Sequence, residues 1–472
     1  MLDIQKQINM KKTKFKFHKI VKAGLMIALI AFISSCDWVD PEYNIDPDRP
    51  QDVPMNLLIP GIQQMMGFGL MGNSSVRTVG MWVQIFDGVS RQSLAEGRYT
   101  ESPSDANDLW ENAYTQIFIN AKILEEKAVE EESPHNQAVA KIMTAYSLGI
   151  ITDLYGDIPY SDALKGTENV LQATYDTQQE IYNSIFTLLD EAVTLLGQDE
   201  PVGIGGDVIY DGDEDAWLNA ARAIKARAEL QLSKRNGATA YSNALALTDA
   251  FSSNDDDMMI PWETANRNPI FLFMQDRGDI RMCQTLLDEM EATGDPRIDY
   301  YFAPDADGGI SGSMPGSENE NASGPGTYIA GAISPSTLMS YVELKFIEAE
   351  AALQTGDGSR AATAYQEAVT ASVTKVTGAA PDSAFTADVI TSINAGNISM
   401  EDIMMQKRVA MVGQVQPYSD WRRTGIPALA LVEDPTQTEI PRRFPYPQNE
   451  LIYNEDNVPS VASIIVPVWW DE

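Results

Sequence analysis

Few side chains in this sequence could act as nucleophiles or metal ligands. The 472 residues include two cysteines and two histidines. Cys36 closes an apolar run, whereas Cys283 lies in Ile280–Met290, where apolar residues recur at helical spacing, and reads as a small core residue. His18 precedes the apolar run. His135 follows Ser133-Pro134 at a helix start, where a surface position is expected. With one imidazole in the body of the chain, a Ser-His-Asp triad or a histidine-rich zinc site has little to draw on. Acids are plentiful, so a facing carboxylate pair such as glycosidases use is compositionally possible. No motif designates such a pair, and neither catalytic residues nor a cofactor are expected. Asp211, Asp213 and Asp215 alternate with Gly212 and Glu214 like the start of a calcium loop. The twelfth position counted from Asp211 is Arg222, where an EF-hand requires glutamate. A turn leading into an acidic first helical turn before Trp217 accounts for the same residues, so no metal is expected.

The N-terminus bears on compartment. Lys11, Lys12, Lys14, Lys16, Lys19 and Lys22 precede the apolar stretch Ala23–Ile33, and Ser34-Ser35-Cys36 follows. A basic segment, a short apolar run and small residues form the pattern of a secretory signal. The run is too short to span a bilayer, which takes about 20 residues. Ile33-Ser34-Ser35-Cys36 resembles a bacterial lipobox, so residues 1–35 are expected to be cleaved, leaving a lipidated Cys36. Residues 36–52, with Asp40-Pro41, Asp46-Pro47 and Arg49-Pro50, read as an extended tether. The whole chain carries 33 basic and 68 acidic residues; residues 1–35 hold seven lysines and one acid, so the remainder has a net charge of −41. Such a chain is not expected to bind nucleic acid.

Residues 53–472 read as a single, mainly α domain. Helical patterns cover Ala106–Glu131, His135–Leu154, Gln178–Leu196 behind a Thr177 cap, Trp217–Lys234, Thr239–Phe251, Ile280–Ala292, Ser336–Gln354 and Arg360–Val376. Within Leu344–Ser372, small residues (Ala349, Ala361, Ala364, Ala368) flank a Gly356-Asp357 turn like a tetratricopeptide hairpin. The helices over His135–Leu154 and Gln178–Leu196 form a second candidate pair. Phe302–Gly331 is a long Gly-, Ser- and Pro-rich segment without helical period, the kind of loop that is functional when ordered.

Five segments, in order, resemble the SusD/RagB family of outer-membrane nutrient-binding lipoproteins. They are Asp153-Leu154-Tyr155-Gly156-Asp157-Ile158-Pro159-Tyr160; Asp207–Asp213 with Trp217; Tyr341–Ala351; Asp420-Trp421-Arg422-Arg423-Thr424-Gly425; and Pro441–Pro447 with Glu450 and Asn454. The resemblance implies a SusD-like α/α superhelix of tetratricopeptide-like hairpins plus a loop-rich irregular region. It also implies lipid anchoring at the outer membrane, facing the exterior, and delivery of an oligosaccharide or peptide to a SusC-like TonB-dependent transporter. These segments read as structural. Gly156 suits a helix C-terminus, and Arg422-Arg423 and Arg442-Arg443 would tie the C-terminal region to the helices.

The resemblance further implies a ligand face formed by loops beside the hairpins. Sugars are gripped by aromatic faces and planar polar side chains. Two stretches supply these: Met65–Gln92 with Asn73, Arg77, Trp82 and Arg91, and Trp262–Tyr328 with Phe271, Phe273, Arg277 and Tyr301. The ligand set expected is Asn73, Arg77, Trp82, Trp262, Phe273, Tyr301 and Tyr328. Trp82 and Phe86, four apart on a helix-like run, read more simply as core, whereas Tyr328 in its Gly-rich loop is expected to be exposed. A protein-binding scaffold without a small ligand would lack such an aromatic cluster.

Overall fold

Local capping chemistry starts several of the helices. The computed structural model describes residues 52–472 except Asn73, together with Met10, Phe15 and Lys16. Cys36 and residues 37–51 lie outside the described residues. In the unit from Met55 to Glu472, α1 (Met55–Met65) and α2 (Ser74–Trp82) precede strand β1 (Phe86–Gly88). Then come α3 (Ile119–Glu130), α4 (Pro134–Tyr155), α5 (Gln178–Leu196), α6 (Glu214–Gln231) and α7 (Ala238–Leu245). They are followed by β2 (Met258–Ile260), α8 (Pro269–Asp276), β3 (Ile280–Met282), β4 (Ser336–Met339), α9 (Tyr341–Gln354), α10 (Gly358–Thr377), α11 (Met400–Ala410) and α12 (Gln416–Thr424). Thr177 and Glu180 form a reciprocal capping box at α5, Asp213 caps α6, Ser340 caps α9 and Asp357 caps α10.

The helices pack as a succession of neighbours: α3 on α4, α4 on α5, α5 on α6, α6 on α7, α7 on α9, and α9 on α10. Both hairpins expected from the sequence are present. On α5 the buried stripe is Ile181, Ile185, Leu188, Leu189, Ala192 and Leu196, as its spacing predicts. Between α9 and α10, Phe346 and Ala349 meet Ala364, Tyr365 and Ala368, the small residues permitting close approach. Asp207 and Asp213 organise the turn before α6. The Asp207 carboxylate accepts from Ile209 N, Gly212 N, Trp217 Nε1 and Gln63 Nε2, while Asp213 caps Ala216 N.

Two expected helices begin later than their patterns suggested. Ile280–Met282 is strand β3, antiparallel to β1 with Phe86 opposite Met282, and the helix there covers only Gln284–Glu291. Ser336–Met339 is strand β4, paired with β2, and α9 starts at Tyr341. In both cases strand pairing across a long sequence separation overrides the local period. Cys283 is nevertheless buried, and burial pushes its thiol up to about 12. His135 is also buried, against the expectation of a surface position, with Nε2 at 2.9 Å from the Gln198 carbonyl.

The irregular C-terminal region is fastened by arginines. Arg422 Nη1 donates to the Asp153 and Arg442 carbonyls at 2.6 and 2.9 Å, and its guanidinium lies between the Tyr418 and Trp470 rings. Arg423 forms a buried two-pronged pair with Glu350 and also reaches Asp420 at 3.0 Å. Arg442 pairs with Asp471, and Arg443 donates to the Tyr155 carbonyl. Gly156, just beyond α4, has φ +87 and ψ −124, a conformation open in practice only to glycine.

Asp153 joins this region from α4, accepting from Tyr182 Oη at 2.6 Å and Trp470 Nε1 at 2.8 Å. Burial pushes its carboxyl up to about 6, against the opposing pull of Arg422 and the two donors. The folded chain therefore holds this proton more tightly than the unfolded chain. Its contribution to stability is least favourable above pH 6 and improves as pH falls toward the ordinary value of 3.8. Asp153→Asn, which retains an acceptor for both donors, should raise the urea midpoint at pH 8 and lose that advantage by pH 4. A lower midpoint at pH 8 would show that the ionised form is the stabilising one.

A candidate ligand face around one short apolar helix

A partly uncovered apolar surface lies on α8, Pro269-Ile270-Phe271-Leu272-Phe273-Met274-Gln275-Asp276. Buried Asn268 fixes its start: its Oδ1 accepts from Ile270 N and Phe271 N at 2.8 and 3.0 Å, and its Nδ2 donates to the Ser334 carbonyl. Pro269 supplies the favoured first residue. Only Pro269 and Ile270 are buried; Phe271, Leu272, Phe273 and Met274 remain partly open to solvent. Apolar surface left uncovered in this way marks a binding face.

The two sequence stretches expected to supply ligand residues converge here. Gly72 abuts Pro269 so closely that a Cβ would lie 1.9 Å from the ring Cγ. The Arg77 guanidinium of α2 stands 3.7 Å from the centre of the Phe273 ring. Arg267 stands 5.6 Å from the Phe271 ring. Burial lowers the Arg77 pKa, with the Glu96 charge opposing. Burial also raises Glu96 above the usual carboxylate range, and raises Glu101 well above it with Glu96 and Asp105 adding to the push. Asp279, just before β3, receives both Arg91 and Arg277.

Of the expected ligand residues, Arg77 and Phe273 are thus brought together. Tyr328 is only half-buried; its ring packs against Tyr301 with centroids 5.6 Å apart, in a short helix (Thr327–Ala330) that contacts α8. It is less exposed than its Gly-rich surroundings implied, because Tyr301 gives it a packing partner. Trp82, Trp262 and Tyr301 are buried and cannot meet a surface ligand. Trp82 makes edge contacts with Tyr418 and Phe444 at 5.6 and 5.1 Å and donates to the Glu96 carbonyl. Trp262 Nε1 donates to Ser336 Oγ at 3.0 Å. Asn73 lies outside the described residues. The sequence reading missed Asp279, Glu96, Glu101 and Arg267, since nothing in their local spacing distinguishes them from other surface charges.

A cleft of about 590 Å³ lies elsewhere, between α4 and α5, lined by Gln137, Lys141, Thr187, Asp190, Glu191, Thr194 and Leu195. Its Lys141 is already paired with Glu125 at 2.6 Å and Glu191 at 2.9 Å, and it has no aromatic wall. The α8 face is the better candidate on chemistry.

Stacked helical hairpins carrying a loop-borne aromatic and polar face define a binding module on a helical-repeat scaffold. The chain belongs to the SusD-like family described as starch-binding and associating with the outer membrane, which matches residues 47–447. Among solved structures, it is similar to a chitin-binding protein at 27% identity, with TM-score 0.76, covering 89% of this chain and 100% of that one. A SusD/RagB family protein from Bacteroides thetaiotaomicron is 23% identical, with TM-score 0.75 and coverage of 89% and 99%. A chitin-binding SusD homolog from Flavobacterium johnsoniae is 22% identical, with TM-score 0.75 and coverage of 88% and 99%. Comparison with curated proteins gives no match. The helical fold and the family resemblance read from the sequence are both confirmed.

Burial of Trp82 makes a stability prediction. Trp82→Ala should cost about 3–5 kcal/mol, the range for a large aromatic removed from a core, read by urea denaturation. An unchanged midpoint would mean that the ring is not held as described.

Proposed function

We propose that this chain captures an oligosaccharide on the α8 face, without cleaving it, and delivers it to a SusC-like TonB-dependent transporter at the outer membrane. The observation that carries the reading is the half-buried pair Phe271 and Phe273, with Arg267 and Arg77 over their rings. Sugar C–H faces stack on such rings, and Arg267, partly exposed, can reach hydroxyls, while buried Arg77 backs the Phe273 ring. The chitin-binding names of two structural neighbours favour a glycan over a peptide. Partnership with a transporter rests on family membership. The anchor rests on the Ile33-Ser34-Ser35-Cys36 pattern, with acylated Cys36 holding the body at the cell exterior through the tether.

Glycan and peptide arrays, followed by calorimetry on the best ligand, test the site. Replacing Phe271 and Phe273 together by alanine should weaken glycan binding by about fivefold or more, from roughly 0.5–1.5 kcal/mol per ring. Undiminished affinity would move the site elsewhere, and a peptide-only signal would replace the cargo. For the anchor, Cys36→Ala should shift the protein from the membrane to the soluble fraction. Persistence in the membrane fraction would refute lipidation at Cys36.

A further inference from the structure

The polar edge of the α8 face has a distinctive charge arrangement. The Asp279 side chain is fully buried, yet each of its oxygens is taken by a guanidinium that reaches the surface. Arg91 Nε donates to Oδ1 at 2.7 Å, and Arg91 Nη2 contacts the same oxygen. Arg277 donates to Oδ2 from Nε at 3.1 Å and from Nη2 at 2.8 Å. Arg91 and Arg277 keep 57% and 41% of their side chains exposed. Neither Nη1 donates to any described residue. One buried negative charge therefore fixes two outward-facing positive ones. Arg91 also adopts φ +51, a conformation costly for a non-glycine residue and retained where the surroundings enforce it.

Other acids lie around this edge. Glu96 is buried, and its carboxyl, like that of Glu101, is raised toward the protonated form. Asp105 is occupied by Ser102 N and Oγ and by Gln92. Asp276, at the end of α8, is the exposed acid nearest in sequence to Arg277. Arg267 adds a further positive charge beside the Phe271 ring, whereas Arg77 is buried against Phe273 with the Glu96 charge acting on it. All this occurs in a chain with net charge −35 before any processing, whose general field repels anions.

We infer that the α8 face takes an anionic glycan, its sugar rings on Phe271 and Phe273 and a carboxylate or sulfate substituent received by Arg91 and Arg277. The inference rests on the α8 face being the binding site. Guanidinium edges match the planar or multi-oxygen geometry of these anions and bind them more strongly than they bind hydroxyls. The attraction is local and sensitive to salt.

Calorimetry of the mature chain with three oligosaccharides of matched length tests it: an oligogalacturonate, a sulfated galactan fragment and a neutral chito-oligosaccharide. An acidic ligand should bind at least about tenfold tighter than the neutral one, the scale of one charge-assisted hydrogen bond, and should weaken as salt is raised. The uronate and sulfate arms identify which anion is received. Arg91→Gln and Arg277→Gln, each leaving Asp279 one guanidinium, should each lose about tenfold for the acidic ligand and little for the neutral one. Equal or tighter binding of the neutral glycan, or acidic affinity untouched in both variants, overturns the inference. In that case the α8 site still stands if Phe273→Ala abolishes binding. If none of the three ligands binds, both readings fall.

Discussion

The rest of this structure depends on guanidinium groups buried where water cannot solvate them. A charge in a low-dielectric interior must find a partner or the fold fails there. Arg423 finds Glu350 on α9, and Asp420 finds both Lys407 on α11 and Arg423 on its own helix. Burial alone would raise Asp420, but Lys407 and Arg423 outweigh it and hold the carboxyl below its ordinary value. Because the partners sit on α9, α11 and α12, these helices can be satisfied only together. The irregular tail is drawn in by the same logic. Arg422 and Arg443 donate to the carbonyls of Asp153 and Tyr155 at the C-terminal end of α4, where a helix leaves acceptors unmet.

That arrangement explains why the segments from Asp153 to Tyr160 and from Asp420 to Gly425 were legible as structural in the sequence. Arg-Arg pairs beside aromatic residues, and a glycine after a long apolar helix, have few uses other than fastening. The long helices were legible for a simpler reason: their periodicity and caps are local. Thr177 and Glu180 lie three residues apart, so the box they form could be read directly. The strands could not be read that way. Whether Ile280–Met282 extends or coils is decided by Phe86 and its neighbours, nearly 200 residues earlier in the chain.

The ligand set was the least legible part, because an aromatic side chain does not declare its neighbours. Trp82, Trp262 and Phe273 are similar in local context, each within a short apolar stretch. Trp82 found Tyr418 and Phe444, and Trp262 found Ser336, so both were drawn inward. Phe273 has the Arg77 guanidinium over its ring and stays half-buried. Exposure here is what remains once every available partner has been taken. The loop residue Tyr328 follows the same rule: Tyr301 was available, and the ring is half-covered.

The α8 face owes its geometry to contacts that carry no binding chemistry. Asn268 takes Ala332 O through its own backbone N–H, Ser334 O through its side chain, and the first free amides of α8 through its Oδ1. One buried amide thereby sets the angle at which four apolar side chains face solvent. Gly72 sets the distance, because any side chain there would drive into Pro269 and push α2, with Arg77, away from Phe273. A site built this way keeps its rings half-open to solvent. Its selectivity must then come from the charged groups at its edge rather than from enclosure. That places the greatest demand on Asp279, which must stay buried while the arginines it holds stay exposed.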